Sequence, residues 1–175
     1  TLTISTTARK AGPFIGNGSQ TVFPFTFLVF SAADVLVVRS TGDVQATLVL
    51  SADYTVTLNS DQTASPGGSV TLLAPLALDS TITIGSQVAA RQDSSLTNGG
   101  GFFPKVIERA LDRLTILIQQ LKEQSSRALT LPLSAPGDIS TALPLPDANK
   151  LIGWDATAKA LQNMDPTTLT TIVAF

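Results

Sequence analysis

Carboxylates offer the only plausible catalysis in this chain. Its 175 residues include no cysteine and no histidine, which removes thiolate nucleophiles, disulfides, Cys- or His-ligated metals and the commonest general base. What remains is thirteen acids, eleven of them Asp. A glycosidase needs two carboxyl groups facing each other across a sugar, whereas most of these Asp residues stand in turn contexts, where the side chain commonly bonds its own backbone. Glu108 and Asp112 do share a helical face at i, i+4, but Arg109 and Arg113 lie beside them, which is the composition of a solvated face. No cofactor, no metal ligand set and no catalytic group is specified, and the chain is expected not to be an enzyme.

Phosphate chemistry has one suggestive feature. Gly99, Gly100 and Gly101 precede a helical pattern, as in phosphate-binding loops, but those loops need Gly-Lys-Ser/Thr at the helix start and this chain has Phe102-Phe103-Pro104-Lys105. A net charge of −2 without a dense Lys/Arg stripe disfavours nucleic acid as a partner. A membrane partner is not expected either. The most apolar stretch, residues 23–38, is interrupted by Pro24, Thr26, Ser31 and Asp34, and the first eleven residues lack the apolar segment of a secretion signal.

The elements that would position any functional surface are mainly β. Phe23, Phe25, Phe27 and Val29 alternate at period two, which predicts a strand over residues 21–30, with Pro24 marking an edge. Further strands are predicted at residues 35–39, 45–50, 54–58, 69–73 and 81–87, each rich in Val, Thr, Leu or Ile. Turn signals separate them, beginning with a hairpin-type Gly16-Asn17-Gly18-Ser19. Six or seven short strands in about ninety residues predict a small antiparallel β-sandwich or barrel-like domain. The strand-spaced phenylalanines are expected in its core.

One long helix follows. The glycines 99–101 predict a hinge, with Phe102 and Phe103 pinning it into an apolar pocket of the same or a neighbouring subunit, and Pro104 suits a first helical turn. Ile107, Ala110, Leu111, Leu114, Leu117, Ile118 and Leu121 recur at steps of three and four, so they fall on one side of that helix. Ile107, Leu114 and Leu121 read as one seam position, Ala110 and Leu117 as the next, with Leu111 and Ile118 flanking. A seam this wide must be buried, either on the β-domain or against copies of itself, and the width favours a trimeric coiled coil. Beyond it, Pro132, Pro136, Pro144 and Pro146 predict an extended run. Residues 150–163 then predict a hairpin anchored by Trp154. The resulting map is an N-terminal arm (1–13), a β-sandwich domain (14–92), a Gly-rich hinge (93–103), a trimerisation helix (104–128) and an extended segment with a hairpin (129–175). The arm is expected to order only against a partner, and the apolar, β-prone end suggests a longer mature protein.

The order of these pieces resembles the N-terminal virion-attachment domain of podovirus tail fibres and tailspikes. The residues that carry it are Phe14, Gly16-Asn17-Gly18-Ser19, Thr21, Phe23, Phe25, Phe27, Asp53-Tyr54-Thr55-Val56, Gly68, Val70 and Gln92-Asp93. They continue with Asn98, Phe102, Pro104, Ile107, Glu108, Asp112, Gln119-Gln120, Arg127-Ala128-Leu129 and Pro132. The resemblance implies a homotrimer in the virion tail, made in the host cytoplasm, whose β-domains dock onto adaptor or nozzle proteins while the helices lead into a shaft. A separate receptor-binding protein is a further implied partner. The competing expectations are a carbohydrate-binding adhesin module and a polysaccharide-degrading tailspike.

Overall fold

The computed structural model describes residues 4–92 and 103–167. The hinge glycines Gly99, Gly100 and Gly101, together with Phe102, lie outside the described residues. The fold is mainly β, with antiparallel sheets and one helix, and its chain divides into a first unit ending at Ser126 and a second beginning at Arg127.

In the first unit, β1 (Lys10–Ile15), β3 (Val35–Thr41), β4 (Val44–Thr47) and β7 (Ser80–Ser86) form a four-stranded sheet in the order β1-β7-β3-β4. A second sheet has the order β2-β6-β5, from β2 (Val22–Phe25), β5 (Tyr54–Leu58) and β6 (Gly68–Leu72). All strand pairs within these sheets are antiparallel. The chain alternates between the sheets: β1 in the first, β2 in the second, β3 and β4 back in the first, β5 and β6 in the second, β7 in the first.

Strand alternation explains the burial. In β2, Phe23 and Phe25 point inward while Val22 and Pro24 are exposed; in β7, Ser80, Ile82 and Ile84 point inward. One core takes side chains from both sheets, among them Phe23, Phe25, Val35, Val37, Tyr54, Val70, Ile82 and Ile84. Each buried aliphatic or aromatic side chain of this kind contributes about 1.5–3 kcal/mol. Two contacts tie the sheets specifically. Phe14 of β1 meets Phe23 of β2 with ring centroids 5.6 Å apart, and the Tyr54 hydroxyl of β5 donates to the Val35 carbonyl of β3 at 2.8 Å.

Three expectations are corrected here. The strand predicted over residues 21–30 stops at Phe25; Phe27, Leu28 and Val29 are all buried in succession, because the chain leaves the sheet and runs through the interior. The Gly16-to-Ser19 turn is not a hairpin. It carries the chain from one sheet to the other, with Gly16 N–H donating to Ser80 O and Gly18 N–H to Leu76 O, while Asn17 Oδ1 accepts from the Ser19 and Gln20 amides. A Cβ on Gly16 would stand 1.8 Å from the Ala77 carbonyl oxygen, so no other residue fits that close approach. The arm read over residues 1–13 is, from Arg9 onward, part of the domain: β1 begins at Lys10, and Arg9 is 3% exposed. Its guanidinium donates to Leu28 O at 2.9 Å and Thr6 O at 3.2 Å and lies 5.9 Å from the centre of the Phe27 ring. Burial pushes Arg9 down to about 10, and it stays charged at neutral pH.

In the second unit, β8 (Leu151–Trp154) and β9 (Leu161–Met164) form a hairpin. Asp155 organises its turn by accepting from the Lys159 amide and from the hydroxyl and amide of Thr157, and those bonds hold its carboxyl below the usual range. Lys150 and Asp165 close the open end at 2.6 Å, Asn163 Nδ2 donates to Leu145 O, and Lys159 pairs with Asp138. Trp154, expected as the anchor, is 44% exposed; these polar ties, and not the indole, hold the hairpin to the extended run before it.

Burial and then the charge of Asp53 push the Tyr54 phenol above its ordinary value of 10.0. A raised acid favours the neutral form in the folded state, so its contribution is complete below pH 10 and is lost as pH rises above that value. Tyr54→Phe is expected to lower stability by about 1 kcal/mol at neutral pH and to reduce the alkaline loss. Urea unfolding of both proteins at neutral pH and above pH 10 checks this; parallel pH curves would contradict it.

Candidate self-association surface

The only long helix among the described residues is α1 (Pro104–Ser125). Pro104 stands in its first turn, where a missing N–H is harmless, and Phe103 caps it without a side-chain bond. The interior holds no glycine and no further proline. Phe103 itself is 66% exposed, so it is not sunk in a pocket of the described part of its own chain.

One face of α1 is docked onto the first unit. Ile116 is fully buried with Leu28 and Val88, and Ile4, Phe30 and Leu117 pack around them. Gln120 treats Val88 as a strand neighbour would: its Oε1 accepts from Val88 N–H at 2.8 Å and its Nε2 donates to Val88 O at 3.2 Å. The same Oε1 accepts from Ser86 Oγ at 2.6 Å. About two turns earlier, Arg113 donates to Ala89 O at 2.6 Å and Arg91 O at 2.7 Å. Arg109 and Arg113 lie 5.4 and 6.0 Å from the centre of the Phe30 ring. On the other flank, Gln119 Nε2 donates to the Thr6 carbonyl that also accepts from Arg9. The helix thereby satisfies backbone groups of residues 88–91, which continue beyond β7 without a strand partner.

The opposite face is open. Leu111, Leu114, Ile118 and Leu121 are 58, 56, 67 and 66% exposed. Leu114 and Ile118 each lie two residues from Ile116, about 200° around the helix, so this stripe points away from the docked face. In heptad terms Leu111 and Ile118 take position a, Ile107, Leu114 and Leu121 take d, and Ile116 takes f, the outermost position of a coiled coil. Ala110 and Leu117, read from sequence as seam residues, are half-buried on the g flank, where Leu117 packs toward the Ile116 cluster. Leu111 and Ile118, read as flanking, are the more exposed.

Beside the stripe runs a groove between α1 and residues 88–92. It has two openings of about 350 and 360 Å³, with Ala90, Leu114 and Leu117 lining both. Glu108 is exposed and Asp112 half-buried on the same helix; among the described residues no group of three His, Cys, Asp or Glu side chains can hold a metal. No described helix is long and apolar enough to cross a membrane. Sequence reasoning found the apolar stripe but missed Gln120, Arg113 and Ile116 as the docking set, because Ile116, between Thr115 and Leu117, falls outside the three- and four-residue steps of that stripe.

Gln120→Leu removes both partners of Val88 while keeping the volume. It is expected to cost about 1–3 kcal/mol and to speed hydrogen exchange at the Val88 amide. Unchanged exchange there would contradict the docking role.

No protein-family model matches the chain. Over 132 residues, 75% of its length, it is 39% identical to the tail spike protein of Salmonella phage epsilon15, and the match spans 12% of that protein. The chain is thus tailspike-related, a sequence relationship that supports a structural role in a bacteriophage tail.

Proposed function

We propose that this chain is the virion-attachment part of a trimeric podovirus tail fibre or tailspike, a non-catalytic anchor that joins the tail to a distal receptor-binding portion. The observation that carries the reading is the unpartnered a/d stripe of α1, four large aliphatic side chains each more than half exposed. Water does not tolerate such a stripe cheaply; each side chain, once buried, contributes about 1.5–3 kcal/mol. Three copies arranged about a threefold axis bury it.

The docked f face makes this compatible with the β-domain. Ile116 turns outward from a bundle, so each β-domain sits outside the stem and leaves the a and d positions clear. The two sheets act as a sandwich that grips adaptor or nozzle proteins of the tail, and residues 129–175 lead toward a shaft or a separate receptor-binding protein. The chain is made in the host cytoplasm and acts in the virion, without nucleic-acid or membrane partners. Relationship to a tail spike protein supports the tail placement.

Sedimentation equilibrium of the purified chain is expected to give three times the monomer mass, and Leu114→Asp with Ile118→Asp to give a folded monomer. Leu114→Ala alone is expected to weaken the trimer by about 2–5 kcal/mol for each copy's site. A parent chain that stays monomeric at high concentration overturns the stem. The chain is also expected to compete with intact fibres for fibreless particles; absence of competition by a proven trimer would sink the anchor.

A further inference from the structure

We propose that the groove between α1 and residues 88–92 is filled by a neighbouring copy of this chain, whose Thr115 and Lys122 seat in it, so that residues 88–92 belong to the self-association surface. The inference rests on the trimeric reading and specifies which surfaces meet.

A seam confined to α1 is short. The helix has 22 residues and supplies five apolar a/d layers, from Ile107 to Leu121, before Ser125 takes the next a position. Five layers bury a limited apolar area, and contact beyond the seam adds to it. Closed threefold symmetry makes the helices parallel. In parallel coils the g flank of one helix lies against the e flank of the next.

Both flanks suit each other. On the g flank, Ala110 and Leu117 form one wall of the groove and Ala90 the other, with Val88 at the far opening. These walls are apolar, and Gln92, Arg91 and Gln124 stand at the rim. The e flank presents Glu108, Thr115 and Lys122, all exposed. Thr115 uses its hydroxyl within its own helix, donating to Leu111 O at 3.0 Å, which leaves its methyl group to face outward. Lys122 offers a four-carbon stem to an apolar wall while its ammonium stays in water. In register, Thr115 falls between the neighbour's Ala110 and Leu117, and Lys122 between Leu117 and Gln124, at the heights of the two openings.

The chain has no native cysteine, which makes engineered disulfides unambiguous. Thr115 is two residues from Leu117, about 200° around the helix, so a disulfide between Ala90→Cys and Thr115→Cys can only join two chains. Under mild oxidation the double variant of the full chain is expected to give covalent dimers and trimers on a non-reducing gel, and each single variant monomers. Leu114→Cys, in the a/d seam, serves as the separate report on the stem. Cross-linking by Leu114→Cys without cross-linking by the double variant overturns the groove assignment and leaves the stem standing. Failure of both, with a monomer by sedimentation, overturns the assignment together with the trimeric reading.

Discussion

The organisation of this chain depends on a single helix having to satisfy two apolar faces at once. Ile116 and its neighbours take the β-domain on one side, and Leu111, Leu114, Ile118 and Leu121 leave the other side open. The two faces are separated by nearly half a turn, so neither use competes with the other. A helix with a single stripe would have to choose between folding back onto its own domain and meeting a partner. Here the polar side chains on the docked side decide which stripe goes where. Gln120 and Arg113 make directional bonds to residues 88–91 that only the Ile116 face can reach, and a purely greasy contact would not discriminate in that way.

Much of the β-domain was legible in the sequence because its strands follow the rule of alternation. The segment 54–58 coincides with β5, and the strands expected at 35–39, 69–73 and 81–87 lie within two residues of β3, β6 and β7. Pro24 marked an edge, and β2 is an edge strand of its sheet. What escaped was β1, since Gly12-Pro13 reads as a breaker. An edge strand tolerates that pair: β1 bonds only to β7, and the register shifts between Ala11 and Phe14. Phe27 and Val29 were recognised as core residues for the wrong reason, because burial of consecutive residues outside a sheet leaves no periodic trace.

The helix was legible in part. Its period announced the apolar stripe, yet periodicity counts side chains and cannot weigh the hydrogen-bonding needs of a distant backbone. Gln119 and Gln120 are surface residues by type. Their role follows only from a tertiary fact, that the chain after β7 runs beside α1 with its amide and carbonyl of Val88 in want of partners. The same limitation hid Arg9, a charged residue next to glycine and proline that is buried because the Leu28 and Thr6 carbonyls await it.

The bond from Gln119 to Thr6 spans 113 positions, and this separation governs the order of events during synthesis. Thr6 leaves the ribosome long before its helical partner Gln119 is made. Ile4 and Thr6 therefore cannot complete their contacts while the strands pair, because Ile116 and Gln119 reach them only once α1 has been made. The contacts of Ile4 and Thr6 are thus completed by the same element that carries the open stripe.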